Sequence, residues 1–487
     1  MKRERSEHRP RSERPRSGRT VEPALWSPCG EAIAPRHGGT LETFVFGGIP
    51  GERAHVHVKG KGEHRVYTRF DRPADRPHPD RREPPCGRFY RCGGCPLMHL
   101  VPDAQLAVKR QMLLDAFASA GVAVPMDVTV VPSPVGNVDF RHVMKLGVGR
   151  SQEGSLQVGG FARGNREILP IPRCLVITPV LREAMKTIAY QIIERNVLPF
   201  HERGGLLRYV IARQSRATGK VQIVLVARQR DARVAELAAG IEAANSTIVG
   251  IHVHVNREDG NALFDADEEG LIRMQLLAGA PTMEEELGGI RFVLGPSDFF
   301  QTNPAVAELL VNDVLALTAD DRERPIVDLY AGIGALTLPL ARQHGWAIGV
   351  ERSQGSVLHA RQSAALNGID AEFLAMDSEH GIEAVAKRLT GRPPIVVVDP
   401  ARRGLERGMG PGILSLNPAR IVYVSCNPRA LAEDVREFEA RGYALDALHA
   451  FDMFPETPHL EAVARLSPVA GAPPAARAPR RRVARGA

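Results

Sequence analysis

Two segments of the sequence place reactive side chains directly after apolar runs that predict strands. Cys426 stands in Ser425-Cys-Asn-Pro428, where the strand has ended and Asn-Pro follows. Cysteine often acts as a small buried apolar residue, but this position favours a nucleophile over a core residue. Asp399-Pro-Ala-Arg402 follows another apolar run in the same way.

The segment 451–461 offers several proton-transfer candidates in one predicted loop. They are Asp452, Glu456, His459 and Glu461. Each of these side chains can accept a proton in a reaction that a thiolate has begun. Spacing alone does not choose among them.

A glycine-rich turn predicts a nucleoside-binding site. Asp328-Leu-Tyr330-Ala-Gly332-Ile-Gly334 lies between an apolar strand and a helical segment, where a ligand can approach the backbone closely. The next strand ends at Glu351, which is placed to accept hydrogen bonds from ribose hydroxyls. The phosphate-loop signature and the third glycine of the dinucleotide fingerprint are absent from the sequence. The pattern therefore favours adenosine without a pyrophosphate, hence S-adenosylmethionine, over NAD or a structural turn.

Six cysteines occur in the chain, and three of them are closely spaced. Cys86, Cys92 and Cys95 form the pattern C-x5-C-x2-C, which can place several thiolates around one metal centre. No export signal is visible in the sequence, so a disulfide framework is not expected. The spacing leaves zinc and iron–sulfur equally open.

The elements that must position these residues follow from the apolar pattern. From about residue 292, four short β-branched runs alternate with helical segments; they are 326–329, 347–350, 395–398 and 421–424. This pattern predicts a doubly wound, mainly parallel sheet. The carboxyl ends of such strands form the ligand-binding edge, so the reactive side chains should meet there.

The rest of the chain divides by composition. Leu41–Phe46 and Ala54–Val58 predict strands joined by a glycine turn, and the segment 103–121 predicts a helix. The predicted segments are a disordered basic tail (1–20), a small β-barrel (21–70), a linker (71–84), a central α+β domain (85–290), an α/β domain (291–467) and a disordered Arg-rich tail (468–487).

Charge and hydropathy exclude some classes of protein. The net charge of +7 is concentrated in the two tails, which could be solvating segments or RNA-binding arms. With 44% hydrophobic and 24% charged residues the composition is globular, and no apolar run is long enough to span a bilayer. We expect a cytoplasmic protein, and nothing in the sequence demands more than a monomer.

The ordered motifs resemble those of the RNA uridine-5-methyltransferases, which make 5-methyluridine in ribosomal or transfer RNA. The resemblance covers roughly residues 25 to 467. It rests on Gly47-Gly-Ile-Pro-Gly-Glu52, Cys86, Cys92, Cys95, Cys174, Phe299-Phe-Gln301-Thr-Asn303, Asp328-Leu-Tyr-Ala-Gly-Ile-Gly334, Glu351, Asp399-Pro-Ala-Arg402, Ser425-Cys-Asn-Pro428 and Asp452-Met-Phe-Pro together with His459-Leu-Glu461.

The resemblance implies an α/β fold: a Rossmann-like class I methyltransferase domain, an N-terminal OB-like β-barrel of the TRAM type and an α+β central domain carrying a cysteine-ligated cluster. It makes Cys426 the nucleophile and Glu461 the general base. The implied binding residues for S-adenosylmethionine are Gln301, Tyr330, Gly332, Glu351, Asp377 and Asp399. The implied ligands of a [4Fe–4S] cluster are Cys86, Cys92, Cys95 and Cys174. The sequence departs from the family pattern at Ala331 and Ala335, which puts cofactor affinity in doubt.

The chemistry of uracil explains why a cysteine and a base are needed. A thiolate that adds to C6 makes C5 nucleophilic enough to accept a methyl group, and the C5 proton must then leave. Because the thiolate is the reactive form, we expect its surroundings to lower the pKa of Cys426 below ~8.5. The residues around Cys426 and Asp399 favour uracil over cytosine or adenine as the target base.

The predicted RNA is 23S ribosomal RNA first and transfer RNA second, because the family combines barrel and cluster. Two rival functions stay open on this fold. One is a non-catalytic RNA-binding protein, and the other is an iron–sulfur regulatory protein.

Overall fold

Apolar, β-branched runs form the strands of the sheets in the computed structural model, which describes residues 19–35, 42–61, 65–151, 153–258, 263–266, 271–389 and 391–469. The chain divides into two units. The first unit holds the residues up to Tyr90 and Cys95–Ala104, and the second holds Arg91–Gly94 and the residues from Gln105 onward. Most of both predicted tails, residues 1–18 and 470–487, lies outside the described residues. No helix among the described residues is long and apolar enough to cross a membrane.

The first unit contains one six-stranded sheet. Its strands are β1 Arg19–Val21, β2 Leu25–Trp26, β3 Ala32–Ala34, β4 Glu42–Phe46, β5 Ala54–Lys61 and β6 Arg65–Pro73. They lie in the order β1-β5-β6-β4-β3-β2, and the pairing is antiparallel except between β4 and β6. Small and aromatic side chains such as Val45, Val56 and Phe70 form its core. The predicted strands on either side of the glycine turn are confirmed as β4 and β5, whereas the TRAM barrel stays a prediction.

Two predicted boundaries of this region are wrong. Strand β1 begins at Arg19, inside the predicted tail, because Arg19 pairs with Val56 of β5. The predicted linker 71–84 is also structured. Arg81 donates hydrogen bonds to the buried Glu52 carboxylate, at 2.7 Å from Nε, and its guanidinium lies 3.8 Å from the centre of the Phe70 ring. A buried carboxylate needs such a partner, and the sequence of this segment does not reveal the pairing.

The second unit begins with a mixed sheet. Its elements in chain order are α1 Pro102–Ala120, β7 Val130–Val131, β8 Val143–Arg150, β9 Leu156–Phe161, β10 Ile168–Leu169, α2 Pro179–Glu194, β11 Leu207–Gln214, β12 Val221–Ala227, α3 Ala232–Ala244, β13 Ile248–Val255 and β14 Gln275–Gly279. Seven strands pair in the order β10-β9-β8-β11-β12-β13-β14. Strands β11 and β12 form an antiparallel hairpin, and the predicted helix over 103–121 is confirmed as α1 to within one residue.

An eight-stranded sheet carries the carboxyl-terminal half. The elements are β15 Met283–Leu287, β16 Ile290–Leu294, α4 Pro304–Thr318, β17 Ile326–Leu329, α5 Thr337–His344, β18 Ala347–Glu351, α6 Gln354–Asn367, β19 Ala371–Ala375, α7 Ser378–Ala386, β20 Ile395–Val398, α8 Met409–Ser415, β21 Arg420–Ser425, α9 Pro428–Glu439, β22 Tyr443–Phe451 and β23 Glu461–Pro468. The strand order is β19-β18-β17-β20-β21-β23-β22-β7. Strands β17 to β21 pair in parallel, and β23 pairs antiparallel with both β21 and β22. The predicted doubly wound sheet is therefore present.

The predicted boundary at residue 290 is wrong. The hairpin β15–β16 spans it, and its apolar side chains, including Met283 and Phe292, share a core with Val306 of α4 and Val357 of α6. Strand β7 belongs to the central region in sequence but pairs with β22 of the eight-stranded sheet. The segments predicted as central and α/β domains therefore belong to one unit. Residues that are distant in sequence pair and pack together across the predicted boundary.

Candidate active site

The carboxyl ends of the parallel strands bring the predicted nucleophile and base together. Asp399 follows β20, and Cys426 follows β21, which is the next strand in the sheet. Strand β23 runs antiparallel to β21, with Ser425 opposite Ala462. Cys426 and Glu461 are the next residues in this register, so they face each other at the edge of the sheet.

The turn after β21 fixes the backbone around Cys426. Asn427 is the N-cap of α9, and its side-chain oxygen accepts a hydrogen bond from the amide of Arg429. The Ser425 hydroxyl accepts a hydrogen bond of 3.1 Å from the amide of Asn427. These bonds satisfy polar groups at the helix start, and they hold the half-buried Cys426 thiol between strand and helix.

The thiol lies in surroundings that oppose its ionisation. Burial raises the pKa of Cys426 to about 11, the carboxylates of Glu461 and Asp399 raise it further, and Arg402 lowers it. The expectation of a lowered pKa is therefore wrong for the protein without ligands. The physical reason is that burial and the neighbouring acidic side chains disfavour a charged thiolate. The positive charge of Arg402 offsets only part of this cost.

Burial raises the pKa of both carboxyl groups near Cys426. Glu461 is only 4% exposed, and burial together with the nearby Asp399 raises its pKa well above the usual range. Burial also raises the pKa of the half-buried Asp399 to about 7. A carboxyl group with a raised pKa is a stronger base once it is ionised, so the Glu461 carboxylate is suited to accept a proton.

Arg402 supplies the positive charge at this edge. The side-chain amide of Asn427 donates a 2.7 Å hydrogen bond to the Arg402 carbonyl. In the same loop, the amide of Leu405 donates a 3.0 Å hydrogen bond to the Asp434 carboxylate. The loop after β20 is thus tied to α9, which keeps the exposed Arg402 beside Cys426 and Glu461. Its charge lowers the pKa of both groups.

Arg402→Met is expected to raise the pKa of Cys426, because the cation that favours the thiolate is lost. Alkylation of Cys426 should slow by about threefold to tenfold across the neutral and mildly alkaline range, a modest effect because Arg402 is solvent-exposed. Mass spectrometry of the Cys426 peptide measures this rate. Arg403→Met is the matched control, since Arg403 pairs with Glu406 instead. An unchanged rate in Arg402→Met contradicts the assignment.

Three of the four proton-transfer candidates contact groups other than Cys426. Asp452 forms a buried ion pair with Lys109. Glu456 accepts hydrogen bonds from Gln105 and other groups. The exposed His459 lies edge-on to the Phe454 ring, with 6.3 Å between ring centroids. Of the four, Glu461 is the one that faces Cys426.

The predicted cofactor site lies at the same edge of the sheet. Tyr330 adopts a φ of 71°, which lets its amide and that of Ala331 both donate 3.0 Å bonds to the carbonyl of Val350. The Gly332 amide donates to the Glu351 carboxylate at 3.1 Å. A Cβ atom at Gly332 would meet nothing within 4 Å, so the backbone is open to a ligand there. The open turn and the strand-end carboxylate fit the adenosine part of S-adenosylmethionine.

The other two predicted cofactor residues are positioned less directly. Asp377 is exposed and caps α7, accepting a 2.9 Å bond from the His380 amide; this bond and the pairing with the His380 ring lower the pKa of Asp377. Half-buried Gln301 stands two residues before Asn303, the N-cap of α4. No contact of either residue tests a role in cofactor binding.

Asp328→Asn is expected to stabilise the protein more at about pH 8 than at about pH 5. Asp328 is buried, and burial raises its pKa to about 7, against ~3.9 in an unfolded chain. The contribution of the protonated Asp328 to the free energy of unfolding is fully present below pH ~3.9. It is lost as the pH rises through about 7. Asparagine removes this loss and can keep the 2.6 Å hydrogen bond with Thr337.

Thermal unfolding midpoints at the two pH values test this prediction. The exposed Asp370→Asn is the control, and it should show no such pH dependence. An equal shift of the midpoint at both pH values for Asp328→Asn would contradict a proton held by the fold.

The sequence predicts a [4Fe–4S] cluster with four cysteine ligands. Within the described ranges, no group of three or more His, Cys, Asp or Glu side chains is arranged to hold a metal ion. Cys86, Cys92, Cys95 and Cys174 are half-buried. The structure thus does not support the [4Fe–4S] cluster, and no step below is derived through one.

Sequence reasoning missed the polar residues that hold the loop before Glu461. Gln105 and Lys109 of α1 are fully buried. The apolar pattern that predicts this helix does not predict buried polar side chains. A signal existed, because Gln105, Lys109, Leu113 and Phe117 fall on one helical face. A lysine in the middle of a buried stripe requires an acidic partner, but the sequence does not say which one.

The family comparison agrees with this geometry. Residues 290–468 match the family model described as tRNA (uracil-5-)-methyltransferase. An uncharacterized RNA methyltransferase of Caldanaerobacter subterraneus is 31% identical over 437 residues, which cover 87% of this chain and 93% of the relative. Another from Thermosynechococcus vestitus is 32% identical over 435 residues, covering 87% and 92%.

A solved structure shares the arrangement over nearly the whole chain. It is the crystal structure of Pyrococcus abyssi tRNA (uracil-54, C5)-methyltransferase in complex with S-adenosyl-L-homocysteine. The TM-score is 0.70 and the sequence identity 27%, and the match covers 92% of this chain and 99% of that one.

Proposed function

Because the chain belongs to the RNA (uracil-5-)-methyltransferase family, we propose that this S-adenosylmethionine-dependent enzyme methylates C5 of a uridine through a covalent bond to Cys426. The observation that carries the proposal is the register of β21 and β23, which sets Cys426 opposite Glu461. Both residues stand at the strand edge where the open Gly332 turn and Glu351 fit an adenosine. When bound there, S-adenosylmethionine supplies an electrophilic methyl group on a positively charged sulfur.

The first step is addition of the Cys426 thiolate to C6 of the uracil ring. The new S–C6 bond takes the electron pair of the thiolate, and the C5–C6 π electrons move to form an enolate across C5, C4 and O4. The raised pKa of Cys426 in the ligand-free protein favours the protonated thiol, so the thiol must first lose its proton to solvent water. Arg402, which favours the thiolate, is the residue of this chain that assists the step.

In the second step C5 forms a bond to the methyl group, and the donor's sulfur keeps the electrons of the broken S–CH3 bond. Glu461 then takes the C5 proton. The electrons of the C5–H bond re-form the C5–C6 double bond, and the S–C6 bond breaks to release Cys426. The raised pKa of Glu461 suits this transfer, because a carboxylate of higher pKa binds the departing proton more strongly.

The target uridine must leave its stack to reach Cys426, which costs a few kcal/mol unless the base is already unpaired. Unpaired loops of structured RNA supply such bases. We propose 23S ribosomal RNA as the first candidate substrate, on the combination of motifs in the sequence. Transfer RNA is the second candidate, because the solved structure at 27% identity is a tRNA methyltransferase.

Methyl transfer to unmodified ribosomal and transfer RNA tests the proposal. We expect nucleoside analysis to find 5-methyluridine in one of the two RNAs. 5-Methylcytidine or a methylated adenosine in its place would contradict the choice of uracil, and no transfer to either RNA would favour a non-catalytic RNA-binding protein. Gln301, Tyr330, Asp377 and Asp399 as cofactor contacts, the TRAM barrel and the [4Fe–4S] cluster stay predictions.

A further inference from the structure

The loop 452–460 joins β22 to β23 and ends at Glu461, which pairs with Phe451 as the last pair of that hairpin. We propose that a polar anchor formed by α1 and the segment around Asn137 positions the general base through this loop, an inference that rests on the proposed function. The anchor consists of Gln105, Lys109 and Asn137, which bind Asp452 and Glu456. These three are positioning residues, because they touch the loop and not the reacting atoms.

The first contact of the anchor is an ion pair. The Lys109 side chain has no exposed surface, and its ammonium binds the carboxylate of Asp452, which is 3% exposed. The same ammonium donates a 3.0 Å hydrogen bond to the carbonyl of Phe454. One cation therefore holds both the first residue of the loop and its backbone two residues later.

The second contact encloses Glu456. This residue is 2% exposed and has a φ of 68°, which is uncommon for a side chain with a Cβ atom. Its carboxylate accepts a 2.9 Å bond from Gln105 Nε2 and a 2.8 Å bond from Asn137 Nδ2. Its amide donates a 3.0 Å bond to Gln105 Oε1. Both the side chain and the backbone of the loop are thus fixed from α1.

A third contact reaches the segment that carries Gln301. Asn303 is fully buried, and its amide nitrogen lies 3.2 Å from the Ser133 hydroxyl and 3.5 Å from the carbonyl of Met453. The loop before Glu461 is therefore held from α1, from the segment around Asn137 and from the start of α4.

Directional bonds set a position more narrowly than apolar contacts do. A buried ion pair is weak evidence for stability, because removing both charges can leave a protein as stable as before. Its stronger use is to select one arrangement of the chain, and here that arrangement holds the loop that leads into Glu461, the first residue of β23. A displacement of about 1 Å in a reacting group can cost about a hundredfold in rate. The anchor therefore acts on the step that Glu461 performs.

The test separates this step from the one that Cys426 performs. The double variant Lys109→Met/Asp452→Asn removes both members of the ion pair together, while Glu456 keeps its hydrogen bonds from Gln105 and Asn137. On unmodified uridine RNA we expect turnover to fall about tenfold to a hundredfold, with the methylated protein–RNA adduct accumulating because its C5 proton leaves slowly. The rate at which the variant first forms the adduct on RNA containing 5-fluorouridine should stay within about twofold of wild type.

Two further variants keep the test decisive. Gln105→Met removes the two hydrogen bonds between Gln105 and Glu456 and the one from Asn137 to Gln105. It leaves the ion pair in place, so it should show the same pattern if the double variant fails to fold. Lys186→Met/Glu183→Gln removes an exposed ion pair on α2 and is the matched control, with turnover like wild type.

The outcomes distinguish the inference from the proposed function. Unchanged turnover in both anchor variants would overturn the inference. So would a parallel loss of adduct formation and turnover, because the anchor would then shape the whole site. Failure of the wild-type protein to form any adduct on 5-fluorouridine RNA would instead overturn the proposed function.

Discussion

Cys426→Ala is expected to lower methyl transfer to RNA by at least about 10⁴-fold, the scale seen when a nucleophile is removed from an enzyme. The reason is chemical: without addition at C6, uracil C5 is too weak a nucleophile to take a methyl group. The half-buried thiol fills a small space beside α9, so alanine should leave the fold intact. Transfer of labelled methyl groups to unmodified RNA measures the effect.

Cys29→Ala is the matched control for this experiment. Cys29 is an exposed free thiol in the first unit and takes no part in the proposed chemistry, so its variant should methylate RNA like wild type. Residual transfer by Cys426→Ala within tenfold of wild type would contradict a covalent mechanism. Binding of S-adenosylmethionine, measured by calorimetry, should be the same in both variants.

Glu461→Gln is expected to stop the reaction one step later. General-base catalysis contributes about 10²-fold to 10⁴-fold, and turnover should fall by that factor. Because addition at C6 and methyl transfer precede loss of the C5 proton, the variant should still produce about one equivalent of S-adenosylhomocysteine and then hold the RNA covalently. A denaturing gel with unmodified uridine RNA should show this adduct.

The stability of the adduct distinguishes Glu461 from other carboxylates. Glu433→Gln on the exposed face of α9 is the control, and it should neither slow turnover nor accumulate adduct. If Glu461→Gln lost turnover without any adduct, Glu461 would be needed before the methyl transfer and could not be assigned as the base for the C5 proton.

Parts of the fold that depend on local pattern could be predicted from the sequence. The strand bounds 326–329 and 395–398 agree with β17 and β20, because apolar β-branched runs of this length suit strands buried on both faces. The helix predicted over 103–121 agrees with α1 to within one residue. The rule that ligands bind at the carboxyl ends of parallel strands then placed Cys426 at the correct edge.

Features that depend on distant partners could not be predicted. The segment 71–84 has the composition of a linker, but Arg81 binds Glu52. The hairpin across residue 290 joins the larger core through side chains of α4 and α6. Lys109 finds Asp452 more than 300 residues away, and no local pattern encodes such a pairing. These contacts are set by tertiary structure, which overrides composition.

Some features of the candidate active site could likewise be predicted from the sequence, and others required the structure. The nucleophile and four base candidates could be read from residue types and spacing. The choice of Glu461 from geometry needed the antiparallel register of β21 and β23, and the raised pKa of Cys426 needed its burial. Two carboxyl groups lie near the thiol of Cys426 and disfavour its ionisation. A bound methyl donor with a positive charge would favour the thiolate, because opposite charges attract.

The most direct test of the central claim is to map the protein–RNA adduct formed on 5-fluorouridine RNA. Fluorine at C5 cannot leave as a proton, so the reaction should stall after methyl transfer with the RNA still bound to the protein. The account predicts that mass spectrometry of the digested adduct finds a methylated fluorouridine attached to the peptide containing Cys426. It also predicts no adduct with Cys426→Ala. A link to any other residue, or an adduct that persists in Cys426→Ala, would contradict the account.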